Sequence, residues 1–188
     1  MTIVPAVGLL GLAFGLSEFL LNVFKRSKRR DAGADAGSLR LIWIVILISM
    51  FIGMLVANSV PGAALPNGRG LYVAGFTIFG IGALLRWYSI FYLGRFFTVD
   101  VRVGEDHQVI DTGPYRWVRH PSYTGVLLEF IGFALCVGNA LSMVVILVPT
   151  FCAFLYRIRV EELALRNGLG ERYNAYCRRT RRLIPFVY

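Results

Sequence analysis

The sequence predicts an all-α integral membrane protein with about five transmembrane helices, ending in a helical hairpin and a basic tail. Three observations predict it. The 188 residues are 56% hydrophobic, above the roughly 45–50% of ordinary soluble domains. The mean hydropathy is +0.62, and the apolar residues are gathered into long runs, as a bilayer requires. The formal net charge of +9 is carried by Lys and Arg that fall outside those runs or near their ends.

Five apolar runs stand out, at about 3–24, 41–60, 71–93, 122–137 and 140–156. A spanning helix needs roughly 20 apolar residues, with a range of about 17–25. The first three runs meet that length, and the last two are marginal alone. Gly138-Asn139 between them is a turn signal and predicts a hairpin, either tilted or stopping short of the full bilayer. The first run is too long for a secretory signal and lacks a basic region before it. Its positive cluster follows it, the pattern of a retained helix with its N-terminus outside. The stretch 31–38 reads as a flexible loop without chemistry. Residues 1–70 form an N-terminal two-helix membrane region and 71–188 a core, within one structural domain.

The charges orient the helices. Lys25, Arg26, Lys28, Arg29, Arg30 and Arg40 lie between the first two runs, and Arg69 alone lies between the second and third. Arg95, Arg102, Arg116 and Arg119 follow the third run, and eight arginines lie from Arg157 onward. The positive-inside rule then places the N-terminus outside and the 94–121 loop and tail in the cytosol, in a cell inner or plasma membrane. No zinc-finger or RNA-binding motif supports a nucleic-acid partner, so the cations read as contacts to anionic headgroups. Cys136, Cys152 and Cys177 are scattered and odd in number. They form neither a disulfide framework nor a metal pair, and no metal site is expected.

Arg86 and Glu129 sit inside apolar runs near the basic side. Intramembrane charges are costly and mark sites or pairs. Arg86 either snorkels to the interface or pairs, with Glu129 as the expected partner.

The segment 107–125 concentrates chemistry-bearing residues. Gly113-Pro114 forms a turn. Pro121 starts a helix at the position where its missing N–H costs nothing. The positive end of that helix, flanked by Arg116, Arg119, His107 and His120, suits a carboxylate or phosphate. The alternative is an interfacial loop that snorkels its cations and anchors Tyr and Trp among headgroups. The segment 157–163 leaves the fifth run with Arg157 and Glu161 four apart on one helix face, as are Glu162 and Arg166. If the last two runs pack as a hairpin, the two charged segments converge. The tail beyond reads as an amphipathic helix and an extended end, attached to lipid or lying over the site.

Together these patterns resemble the isoprenylcysteine carboxyl methyltransferase family of integral membrane enzymes. The matching residues are His107, Gly113-Pro114-Tyr115, Arg119-His120-Pro121-Ser122-Tyr123 and Gly125, then Arg157, Glu161-Glu162, Gly170, Tyr173, Tyr176 and Pro185. The run 93–98 looks like prokaryotic members. The resemblance covers roughly 80–188, and its strength lies in both segments occurring in order.

The resemblance implies methyl transfer from S-adenosyl-L-methionine to the carboxylate of a lipid or a lipidated small molecule or peptide. It implies that a strand at 107–110 (His107, Gln108, Val109, Ile110), with Gly113, Tyr115, His120, Pro121, Tyr123 and Glu162, holds the cofactor. Arg119, Arg157 and Glu161 match positions of substrate binding or catalysis. Arg86 and Glu129 are further candidates on the substrate side. No G-x-G-x-x-G follows a strand, so a Rossmann-type site is not expected. A carboxylate with pKa near 4 is ionised at neutral pH and needs no general base. Where an aromatic is expected in eukaryotic members, Glu129 leaves open a cationic amine acceptor, as in phospholipid N-methyltransferases. A lipid-binding membrane scaffold is the non-enzymatic alternative.

Overall fold

A computed structural model describes residues 3–25, 37–66, 68–97, 99 and 108–185. His107 and residues 31–36 of the expected flexible loop lie outside the described residues. The chain runs α1 (Ile3–Lys25), α2 (Ser38–Ser59), α3 (Gly68–Leu93), α4 (Pro121–Val137), α5 (Ala140–Leu169) and α6 (Glu171–Arg179). Four helices, α1, α2, α3 and α5, are long and apolar enough to cross a membrane. The fifth apolar helix, α4, has 17 residues, about 26 Å of rise.

Helix α5 differs from the expected short run. It continues unbroken for 30 residues, with Pro149 inside it. At 1.5 Å per residue that is about 45 Å, longer than a hydrocarbon core of roughly 30 Å. Its last turns therefore project past the core and carry Glu161 and Glu162. The hairpin itself forms as the sequence predicts. Gly138 ends α4 in the left-handed region, at φ +69°, which a residue without Cβ adopts at little cost. Asn139 then caps α5, its Oδ1 accepting from Ser142 N at 3.0 Å. Its amide also donates to Val60 O at 2.9 Å, tying the hairpin to the end of α2.

Two antiparallel pairs build the bundle. Helices α3 and α4 touch along glycines spaced seven apart, Gly75 and Gly82 against Gly132 and Gly125. A Cβ at Gly125 would lie 2.7 Å from Arg86 N, and one at Gly82 would lie 2.8 Å from Glu129 N. Small residues at such a seam let backbones approach, which drives packing in lipid, where apolar burial alone gives no preference. Helices α2 and α5 pair through Ser49 and Thr150, whose hydroxyls are 3.4 Å apart. Helix α1 lies against α4, with Phe14 edge-on to Phe130 at 5.1 Å. It buries Val7, Leu10, Phe14 and Leu21 and leaves Leu12, Leu16 and Phe19 exposed, the stripe of a helix with lipid on its outer side.

The expected strand does not form over its described part: 108–110 are irregular. Among the described residues there are two isolated β-bridges, Ala64 with Asn139 and Val118 with Arg181.

Overpacking the glycine seam should cost about 1–3 kcal/mol per substitution. Gly82→Leu and Gly125→Val should each lower the thermal midpoint in detergent. Gly8→Leu, with nothing within 4 Å of a Cβ there, should leave it unchanged.

Candidate functional site

The tail runs beside the start of α4. Arg119 N donates to Arg181 O at 2.7 Å, His120 N to Arg182 O at 3.0 Å, and Arg181 N to Trp117 O at 3.3 Å. Thr124 Oγ1 adds a bond to Leu183 O at 2.7 Å. Two otherwise unpaired N–H groups before Pro121 thus find partners in the tail, as buried backbone must.

A buried carboxylate locks this arrangement. Glu162, from α5, is 3% exposed. It accepts from Arg119 Nε at 2.8 Å and from Arg182 Nη2 at 3.0 Å. His120 Nε2 lies 3.4 Å from it, and Arg166, one turn on, lies at 4.0 Å. Arg119 then spends Nη1 on the tail, donating to Thr180 O at 2.6 Å and Cys177 O at 3.3 Å. The positive end of α4 does face an anion, as its residues predict, but that anion is the protein's own Glu162.

Beside this knot lies a cavity with two kinds of wall. Its polar half carries the side chains of Gln108, Tyr115, Arg119, His120, Tyr123, Arg157, Glu161, Tyr173 and Tyr176, interspersed with Val109, Ile110, Phe96, Phe97, Leu165 and Leu169. The half lined by α1, α2 and the deeper turns of α4 and α5 is apolar, with Phe14, Leu21, Ile42, Trp43, Ile46, Val126 and Phe154. Glu18 and Arg86 also line it. The loop before α4, the start of α4, the end of α5 and the helix α6 supply the polar half. Tyr173 and Tyr176 are three apart, hence on one face of α6, and both are buried. Tyr176 donates to Tyr115 O at 2.7 Å, and Tyr115 to Ser89 O at 3.2 Å, linking tail, loop and α3. Burial, and behind it the Glu161 carboxylate, pushes the Tyr115 phenol above its ordinary range. Burial pushes Tyr176 up as well. Both hydroxyls stay neutral donors.

Arg157 and Glu161 share this wall, one turn apart. Arg157 is 3% exposed and donates to Ser38 Oγ at 2.6 Å, Val99 O at 2.6 Å and Tyr123 Oη at 3.3 Å. It thereby joins α2, α4, α5 and the loop after α3. Glu161 Oε2 accepts from Tyr123 Oη at 2.7 Å. The Tyr123 ring stacks on His120, 5.5 Å between centroids.

Most of the candidate residues meet here, but not all line the cavity. Glu162 stands behind His120 and Arg119. Gly113, at φ +55°, packs against Tyr92, and Pro121 serves as the first residue of α4. None of these three lines the cavity. The Arg86–Glu129 contact is corrected: Arg86 Nη2 pairs with Glu18 of α1. Next to that pair, Trp87 Nε1 donates to Ser17 Oγ at 2.9 Å. Sequence reasoning missed Glu18, although a lone carboxylate inside an apolar run is the same signal that singled out Glu129. It also missed the apolar wall from α1 and α2, which carries no motif. Among the described residues, no three His, Cys, Asp or Glu are grouped to hold a metal.

Comparisons with known proteins bear on the family and the fold. The sequence model of the isoprenylcysteine carboxyl methyltransferase (ICMT) family matches residues 73–167. Protein-S-isoprenylcysteine O-methyltransferase B of Arabidopsis thaliana is 34% identical over 115 residues, covering 60% of this chain and 58% of that protein. The Rattus norvegicus protein-S-isoprenylcysteine O-methyltransferase is 27% identical over 176 residues, 93% of this chain and 62% of that one. The chain thus spans less than two thirds of the length of these relatives. A solved structure of a eukaryotic intramembrane Ras methyltransferase, ICMT, matches with a TM-score of 0.66 at 23% identity, covering 98% of this chain and 67% of that chain. The fold is therefore that of an integral membrane protein of this kind.

Removing one partner from a buried charge knot typically costs about 3–5 kcal/mol. Glu162→Gln should therefore release the tail, seen as faster hydrogen exchange at 177–183. Glu162→Gln and Arg119→Ala should combine less than additively in a double-mutant cycle, because they break one network.

Proposed function

The chain belongs to the isoprenylcysteine carboxyl methyltransferase family, and on that footing we propose that it transfers a methyl group from S-adenosyl-L-methionine to a lipophilic, isoprenylcysteine-like carboxylate, giving a methyl ester. The observation that carries this reading is the single cavity with a polar and an apolar half. A water-soluble donor and a lipid-tailed acceptor need both environments to meet at one point.

The residues present fit the donor. The Tyr173 hydroxyl is buried without a hydrogen-bond partner, and Tyr173 and the His120 ring both line the polar half. With Gln108, Val109, Ile110, Tyr115 and Tyr123 they would hold S-adenosylmethionine, and Glu161 would offset its positive charge. His107 belongs to the same proposed set through its family match. The bound cofactor supplies a methyl group made electrophilic by its sulfonium.

The chain's own residues then bind and orient. Arg157 places fixed positive charge on the wall, where it attracts the acceptor carboxylate and turns one oxygen toward the donor. Already ionised at neutral pH, that carboxylate needs no general base. The apolar half strips water from it, which restores nucleophilicity. Holding the two reactants in line is worth up to about 7–11 kcal/mol. Arg119 and Glu162 act as positioning residues, fixing His120 and the tail rather than touching the acceptor. Residues 71–188 form the catalytic core, and 1–70 contribute the lipid-side wall. The positive-inside rule sets the polar half on the cytosolic side, with the N-terminus outside.

A second reading, methyl transfer to a lipid amine, is favoured by the carboxylates of Glu18 and Glu129 at the membrane-embedded end. One experiment separates the readings. Purified protein is incubated with radiolabelled cofactor and either N-acetyl-S-farnesylcysteine or phosphatidylethanolamine. A base-labile methyl ester is the expected product, and a base-stable N-methyl headgroup would instead establish the amine reading. Calorimetry with S-adenosylhomocysteine tests the site itself: no binding at millimolar concentration would favour a scaffold. Glu161→Gln should weaken that binding at least tenfold, about 1.4 kcal/mol. Arg119→Ala should lose turnover while the protein still folds in detergent.

A further inference from the structure

At the seam between the two halves of the cavity sits a charged cluster that the mechanism does not use. Glu18 and Arg86 line the wall and pair with each other. Glu129, on the facing turn of α4, is 2% exposed and stands behind this wall rather than lining the cavity, and Arg86 is 8% exposed. The cluster is incompletely satisfied: Arg86 Nε and Glu129 Oε1 are buried and have no hydrogen-bond partner. Arg86 backs onto Gly125, whose absent Cβ lets the α3 backbone come close. Ser89, which receives the Tyr115 hydroxyl, is three residues from Arg86, so the cluster lies about 4.5 Å deeper along α3. It therefore flanks the path of an acceptor chain, just below the polar half.

A plain hydrocarbon chain gives these groups nothing. It would leave a donor and a carboxylate oxygen unpaired, which is the costly outcome for buried polar atoms. The unmet needs are specific. Arg86 Nε requires an acceptor and the carboxylates require a donor. A ketone accepts without donating, and an ammonium donates without accepting. A hydroxyl does both.

Resting on the reading of the cavity as an acceptor site, we propose that Glu18 and Arg86, backed by Glu129, form a second subsite that recognises a hydroxyl on the hydrocarbon chain of the acceptor. The preferred substrate is then a hydroxylated isoprenoid or related lipid acid rather than an unsubstituted one. Sites built to hydrogen-bond a hydroxyl discriminate strongly against analogues that lack it.

The test uses the full chain in lipid nanodiscs and a matched probe set. The set comprises N-acetyl-S-farnesylcysteine, analogues with one hydroxyl at successive isoprene units, and the corresponding ketones. Affinity is measured by competition against labelled N-acetyl-S-farnesylcysteine, and ester formation is measured in parallel. One hydroxyl isomer should bind at least tenfold tighter than the parent, and its ketone should show no gain. Glu129→Gln and Glu18→Gln should each shrink that preference severalfold while S-adenosylhomocysteine binding is retained. Equal affinity for parent and all hydroxyl isomers would overturn the subsite, leaving water as its occupant, and ester formation on the parent would still uphold the enzymatic reading. A preference undiminished in both variants would also overturn it. Selective binding of one isomer without any ester formed would uphold the subsite and count against carboxyl methyl transfer.

Discussion

Everything at the basic end of this bundle is arranged around one buried carboxylate. Glu162, on α5, gathers Arg119 and His120 from the entry to α4 and Arg182 from the tail. None of these could sit in a low-dielectric environment alone, because an unpaired buried charge is too costly. The Glu162 carboxylate offsets the charge of the two arginines, and the network fixes where α4 begins, where α5 ends and where the tail crosses. The positions of His120 and, through α6, of Tyr173 and Tyr176 follow from that knot. The polar half of the cavity is thus a consequence of an ion network rather than of a soluble nucleotide-binding fold.

The apolar half has a different origin. It lies between α1, the α2–α5 pair and the α3–α4 pair, whose side chains line it without filling it. The glycine seam pulls α3 and α4 together, and the Arg157 bonds to Ser38 and Val99 hold α2 and the loop after α3 at the mouth. The result is a space with a lipid-like wall below and hydrogen-bonding groups above. On the proposed reading, an interfacial reaction between a polar donor and a lipid acid gives a reason for such a site to lie in a membrane.

Much of this was legible in the sequence, and the exceptions have physical reasons. Run length and charge bias gave the helices and the hairpin at Gly138-Asn139, because hydrocarbon thickness and headgroup charge act on local sequence. The convergence of 107–125 with 157–163 followed from the short hairpin. The partners of individual charges did not. Arg86 could be seen to need a carboxylate, but whether Glu129 or Glu18 supplies it depends on how α1 docks, a contact between residues 68 apart. The family resemblance makes Glu162 a cofactor residue, whereas in the fold it accepts from Arg119 and Arg182. The wall formed by Phe14, Ile42 and Ile46 is invisible to motif reasoning, since these residues differ in no way from others that face lipid.

The central claim is that a sulfonium donor and a lipid acid occupy one continuous cavity. An experimentally determined structure of the protein with S-adenosylhomocysteine and N-acetyl-S-farnesylcysteine bound together tests it most directly. The adenosyl group should lie among Tyr115, His120 and Tyr173, with the farnesyl chain between Phe14, Ile46 and Phe154 and the carboxylate pointing at the thioether sulfur. Two ligands in separate pockets, or a carboxylate directed away from that sulfur, would contradict the account.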